Sequence, residues 1–208
     1  MGRHDIGELQ RLGADNGWTV TPARSARTSD AVVGGVVEGV AWQLTGTLHN
    51  LEGPGMDELR FATGPIPGAD GVALQAQSRS LQGSGVGGAE IAIVAIAATM
   101  RLLGRKRRVP ASAPAHPYLP ELSVDDPLGI LDKPEIAALV RAAPHNRAKV
   151  VTNLAGGVVG LGNTPAGFAF ICQGRLDEPT AVSASVNAGT AVVERLLRVG
   201  RTGGVVSS

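Results

Sequence analysis

Apolar positions along the chain follow two rhythms. Ile6, Leu9 and Leu12 recur at close to one helical turn, which predicts a short amphipathic helix over residues 5–16 with Gly17 as its C-terminal stop. Beyond "WTVTP" the period shortens to two. Val36 and Val37 lead into a turn at Glu38-Gly39, and Val40, Trp42 and Leu44 then share one face, as in a hairpin. Leu59 with Phe61, then Val72, Leu74 and Ala76, repeat the alternation. Four strands in succession predict an antiparallel meander.

"LQGSGVGG" interrupts this pattern. "AEIAIVAIAATMRLL" (89–103) reads as a helix by length and alanine content, while Ile91, Ile93 and Val94 leave a strand open. Residues 109–120 contain four prolines and read as an extended connector. After it, "LSVDDP" predicts a short strand. "DKPEIAALVRAA" predicts a helix with Asp132 as N-cap, Glu135 closing a capping box, and Ile136, Leu139 and Val140 as its buried stripe. "KVVTNLAGGVVGLGN" predicts a second hairpin turning at Ala155-Gly156-Gly157, and "GFAFICQG" another strand. The last element, "EPTAVSASVNAGTAVVERLLRV", puts Val182, Val186, Gly189, Val193 and Leu196 on one helical face. The expected fold class is α+β: antiparallel sheet(s) with helices packed on one face, in two similar-sized halves (1–108 and 121–200) joined by the Pro-rich connector, with a flexible tail at 201–208.

Composition narrows the functions open to such a fold. Glycine is abundant, at 29 residues, and aromatics make up only 3%, so Gly, Ala and Val dominate the interior and little remains for base-stacking platforms. The net charge of +1 supplies no global attraction to nucleic acid. One cysteine, Cys172, rules out an internal disulfide and a Cys-based zinc site. "MGRHDIGELQ" has no apolar core of a signal peptide, and the 89–100 run contains Glu90 and stops at Arg101, too short to span a bilayer. The expected setting is cytoplasmic, with a peripheral position at the inner membrane as its variant.

The chemical motifs are few. "GSGVGGAE" matches G-x-G-x-x-G at Gly83, Gly85 and Gly88, but the stretch before it is not a buried parallel strand and the stretch after its helix cannot supply the next one. A Gly-rich connecting loop is the better reading. "GVVGLGNT" nearly spells a phosphate loop, with Asn163 where the lysine belongs and Pro165 where a helix should run. His4, His49, His116 and His145 are far apart, with no metal-ligand spacing. Cys172 sits in an apolar strand with nothing nearby to lower its pKa. The carboxylate pairs Asp125-Asp126 and Asp177-Glu178 abut or precede prolines, as strand-end and helix-cap residues do. No nucleophile elbow occurs. No catalytic residues, metal or cofactor are therefore expected.

Arg105, Lys106, Arg107 and Arg108, with Arg101, place five positive charges in eight residues beside an apolar segment. Basic residues in that position are held at anionic lipid by about 1 kcal/mol each. The expected function is a non-enzymatic binding or accessory protein that docks on a larger assembly, with a protein partner or a homo-oligomer as company and an anionic membrane surface as a further contact for these cations. An enzyme binding a phosphorylated cofactor or dinucleotide through Gly83–Gly88 and the basic run is the alternative. Nucleic acid comes last.

The layout also resembles an uncharacterised bacterial family in which a cytoplasmic α+β domain follows two membrane helices. The similarity lies in "RLGADNGWTV", "VVGGVVEGVAWQL" and "ELSVDDPLGILDKPEIAALV", about a third of the chain, without the membrane helices. It implies an α+β fold near a membrane and no particular chemistry.

Overall fold

The computed structural model describes residues 6–22, 31–46, 58–79, 115–142 and 158–203. The Gly-rich loop, the 89–103 segment, the basic run, the first half of the connector and the turn expected at 155–157 lie outside them. The elements are α1 (Gly7–Asn16), β1 (Thr19–Pro22), β2 (Ala31–Val37), β3 (Val40–Gly46), β4 (Glu58–Thr63), β5 (Leu74–Ser78), β6 (Leu122–Asp125), α2 (Pro134–Arg141), β7 (Val158–Thr164), β8 (Gly167–Gln173) and α3 (Pro179–Gly203). The fold is α+β, as the two periodicities predict.

Local chemistry sets the boundaries. α1 stops where Gly17 enters the left-handed region at φ 70°, which lets Trp18 N–H bond Gly13 O at 2.7 Å. The β2–β3 turn places Glu38 and Gly39 at φ 46° and 84°. Two consecutive positive φ values are the hairpin geometry that matches strand twist.

All strand pairs are antiparallel, and the order is β1-β2-β3-β4-β8-β7-β5-β6. The predicted meander therefore holds only through β2, β3 and β4. β5 does not follow β4: the β7–β8 hairpin, which turns at residues 165–166, stands between them. "WTVTP", which the periodicity leaves unassigned after the first helix, contributes β1 at one edge. Strands from both sides of the Pro-rich stretch share one sheet.

One row of side chains crosses all eight strands: Val20, Val33, Leu44, Phe61, Phe170, Leu161, Ala76 and Val124 are successive register partners. The six inner members are buried, with Val20 and Val124 partly so at the ends. This is the inner face of the sheet, and α3 lies across it. Its predicted stripe is observed, since Val182, Val186, Val193 and Leu196 are buried. Gly189 sits directly over the ring of Phe61, where a Cβ would come within 2.5 Å of it. Phe61 is also stacked on Trp42 at 5.4 Å and packed edge-on to Phe168 at 6.3 Å. α2 packs against α3.

Two local expectations need correction. α2 begins at Lys133 as N-cap, in an extended conformation and without a side-chain cap. Asp132 is not the cap, because its carboxylate turns toward His116. α3 also continues to Gly203, past the start of the expected tail, and Arg201 Nη2 reaches Glu38 Oε2 at 3.0 Å.

Candidate functional site

The outer face of the sheet departs from an ordinary solvated face. Two further rows cross all eight strands on that side. One runs Thr21, Val32, Thr45, Arg60, Ile171, Gly160, Gln77, Ser123, and the other runs Thr19, Gly34, Gln43, Ala62, Ala169, Gly162, Gln75, Asp125. Toward β8, β7, β5 and β6 this face is largely closed: Ile171, Ala169, Gln75 and Ser123 are all buried. Toward β1, β2, β3 and β4 it is open and forms a concavity of about 710 Å³ lined by Thr19, Thr21, Val32, Gly34, Gln43 and Ala62. Val36, on the same side, is 69% exposed. No outward position of β1, β2 or β3 bears an ionisable group. A strand with one solvated face normally alternates apolar inward residues with charged or strongly polar outward ones, and here the outward set is Thr, Val, Gly, Ala and Gln.

Charge enters at the border between the open and closed halves. β4 points Glu58 and Arg60 outward, both half-buried. Burial raises the Glu58 carboxyl above its ordinary range, and the Arg60 guanidinium partly offsets this. Arg60 Nε is enclosed without a hydrogen-bond partner. A guanidinium N–H left without an acceptor away from water is costly.

His116, Asp132 and Asp126 form a second cluster, where the segment before β6 meets the loop before α2. His116 Nε2 lies 3.0 Å from Asp132 Oδ1, but without the alignment of a hydrogen bond. Nδ1 accepts the Tyr118 N–H at 3.3 Å. A general base needs a free ring nitrogen facing a substrate. Here one nitrogen is occupied by the backbone, the other faces a carboxylate, and the residue is 8% exposed. The cluster fixes the loop; Asp126 Oδ2 accepts the Leu131 N–H at 2.6 Å.

Burial raises the Asp126 carboxyl above the usual carboxylate range, against hydrogen bonds from Leu131 and Ile130 that lower it; Asp132 adds to the rise and His116 opposes it. The folded chain thus holds that proton more tightly than the unfolded chain. The resulting stability is complete below the unfolded value, about 4, and is lost as pH rises through the higher folded value. Asp126→Asn keeps an acceptor for Leu131 and removes the charge. In urea titrations it is expected to be at least as stable as the parent at pH 7, with a flatter profile as pH rises from about 4. Asp126→Ala should lose about 1–2 kcal/mol.

Of the remaining nucleophile and motif candidates, Cys172 and Asn163 lie among the described residues. Cys172 is fully buried, its thiol pushed up to about 12 by burial, with a hydrogen bond to Ser185 pulling the other way and Glu58 adding to the rise. Ser185 Oγ donates to Ala181 O at 2.7 Å and lies 3.1 Å from Cys172 Sγ, so the pair lacks a base. "GVVGLGNT" is largely strand β7. Asn163 Nδ2 bonds Ala69 O and Val72 O at 2.9 and 3.0 Å, pinning the turn before β5. Among the described residues no His, Cys, Asp and Glu group could hold a metal, and no helix is long and apolar enough to cross a membrane.

The sequence-derived site residues, Arg101, Arg105, Lys106, Arg107 and Arg108, and the alternative set Gly83, Gly85 and Gly88, all lie outside the described residues. β5, the strand before that glycine loop, is antiparallel to both its neighbours. Sequence reasoning passes over the outer face because its residues are only the positions that alternate with the buried apolar ones, and they carry no motif of their own. Its readable signals are Arg60 in mid-strand and the lack of charge in "TVTP" and "AVVGGVV". No family model, curated protein or solved structure matches the chain.

Proposed function

We propose that the chain is a non-catalytic binding protein that docks on a larger assembly through the outer face of β1, β2, β3 and β4. The observation behind this reading is the open, uncharged concavity on that face. Covering it with charged groups would strand them without partners, so it suits an uncharged convex surface of another protein, such as the apolar side of a helix. Small residues there permit close approach. The closed half of the same face supports the reading, because there the sheet already tolerates full cover on its outer side.

The test introduces charge where the side chains are exposed. Ala41→Glu with Gln43→Glu is expected to leave circular dichroism and melting unchanged and to abolish recovery of the protein that co-purifies with the parent chain. A parent chain recovered alone, or a partner retained by the variant, overturns the proposal. The basic run supplies a second contact in this reading, since five cations in eight residues suit an anionic surface. Arg105→Ala through Arg108→Ala should abolish co-sedimentation with vesicles containing phosphatidylserine while leaving the protein partner bound; unchanged sedimentation removes that contact.

A further inference from the structure

We propose that two copies of this chain pair through β1, antiparallel, into one continuous sheet. Among the described residues β1 pairs only with β2 and the other side of its backbone has no strand partner, and Thr19, Thr21 and Pro22 are exposed. An open strand edge is a template for another strand unless charge, proline or a cover blunts it. The two ends of the sheet differ in this respect. β6 carries the exposed Asp125, and Leu122 O at its start already accepts Arg79 Nε at 3.1 Å. β1 reads Thr-Val-Thr-Pro, with no charge and a proline only at its last position.

Neutrality matters because of symmetry. In an isologous contact each residue meets its own kind or a near neighbour, so a charged edge opposes like charges. A two-fold axis perpendicular to the sheet, midway between the Val20 residues of the two copies, places Thr19 of one copy opposite Thr21 of the other and keeps the outer face of both copies on the same side. Threonine pairs are favourable cross-strand neighbours. Pro22 limits the pairing to this short stretch, so the association is weak and reversible. It would join the two concavities, which begin at Thr19 and Thr21, into one longer surface.

Light scattering and sedimentation of the full chain from low to about 100 µM test this. The expected result is a concentration-dependent rise from the 21.2 kDa chain mass toward twice that value. Thr19→Lys with Thr21→Lys sets lysines directly opposite each other and should weaken the dimer by about tenfold or more, and Thr19→Glu with Thr21→Glu should do the same. Mixing the Lys and Glu chains should restore a dimer, which a merely misfolded variant would not do. A parent chain that stays monomeric throughout, a Lys variant that dimerises as tightly as the parent, or a mixture that fails to associate overturns the pairing. None of these outcomes bears on docking through the outer face, which a monomer performs equally well.

Discussion

Gly167→Ala is expected to cost about 3 kcal/mol or more and to lower the melting temperature by about 6–12 °C for a chain of this size. Gly167 opens β8 at φ 129°, where side chains are essentially excluded. A Cβ there would strike the carbonyl oxygens of Thr63 and Gly64, backbone atoms that cannot rotate aside. The neighbourhood is also tied together. Thr63 Oγ1 accepts the Phe168 N–H at 3.1 Å, and Thr164 Oγ1 donates to Gly167 O at 3.2 Å. Relieving the clash breaks the junction of β4 with β8, the seam between strands encoded early and late. Gly64→Ala, whose Cβ would meet nothing within 4 Å, is the matched control and should change stability by less than about 0.5 kcal/mol. Equal urea midpoints for the two variants would contradict this account of the seam.

Gly189→Ala is the second large effect. In a helix interior this change ordinarily gains about 1 kcal/mol. Here the new methyl would meet the Phe61 ring at 2.5–2.7 Å. The ring is fully buried and held by Trp42 and Phe168, so it cannot withdraw. Overpacking of this kind costs about 1–3 kcal/mol, and the net change should be destabilising despite the propensity gain. Gly189→Leu should prevent folding. The diagnostic measurement is a double-mutant cycle by denaturant titration. Phe61→Leu alone leaves a cavity, yet combined with Gly189→Ala the two should cost less than the sum of the single changes. Additive losses would show that the helix and the ring do not meet as described.

These contacts mark how far the sequence can be read. The elements are legible wherever one face is buried: α1 with its Gly17 stop, the Glu38-Gly39 hairpin, the strand "LSVD", and the helix over 178–199 all appear where the periods place them. Gly189 even falls on the correct stripe, although its partner Phe61, far away in the chain, has no local signature. The order of the strands is not legible. Nothing in residues 58–78 indicates that β4 and β5 are separated by a hairpin encoded some eighty positions later, because antiparallel pairing leaves the same alternation whichever neighbour is chosen. The Asp132 cap is misread for a similar reason. Capping is a local preference of roughly 1 kcal/mol, and in the fold the Asp132 carboxylate faces His116 instead of the helix start. The outer face is hidden because a polar residue at an alternate strand position looks solvated, and only the folded sheet shows that Gln75 and Ser123 are enclosed while Ala41 and Gln43 are not.

The place of β7 and β8 in the sheet bears on the order in which the chain can be built. A ribosome delivers β1 to β4 first and β5 and β6 next, and these two groups share no strand pair. They become one sheet only when residues 158–173 emerge to bridge them, and the Phe61 ring stays uncovered until α3 emerges. Until then β4 and β5, which lie inside the finished sheet, each lack one of their two strand neighbours. Such a chain can complete its core only after β8 and α3 are made, so the wait is set by how far Gly167 and Gly189 lie behind Phe61 along the message rather than by any distance in the folded protein.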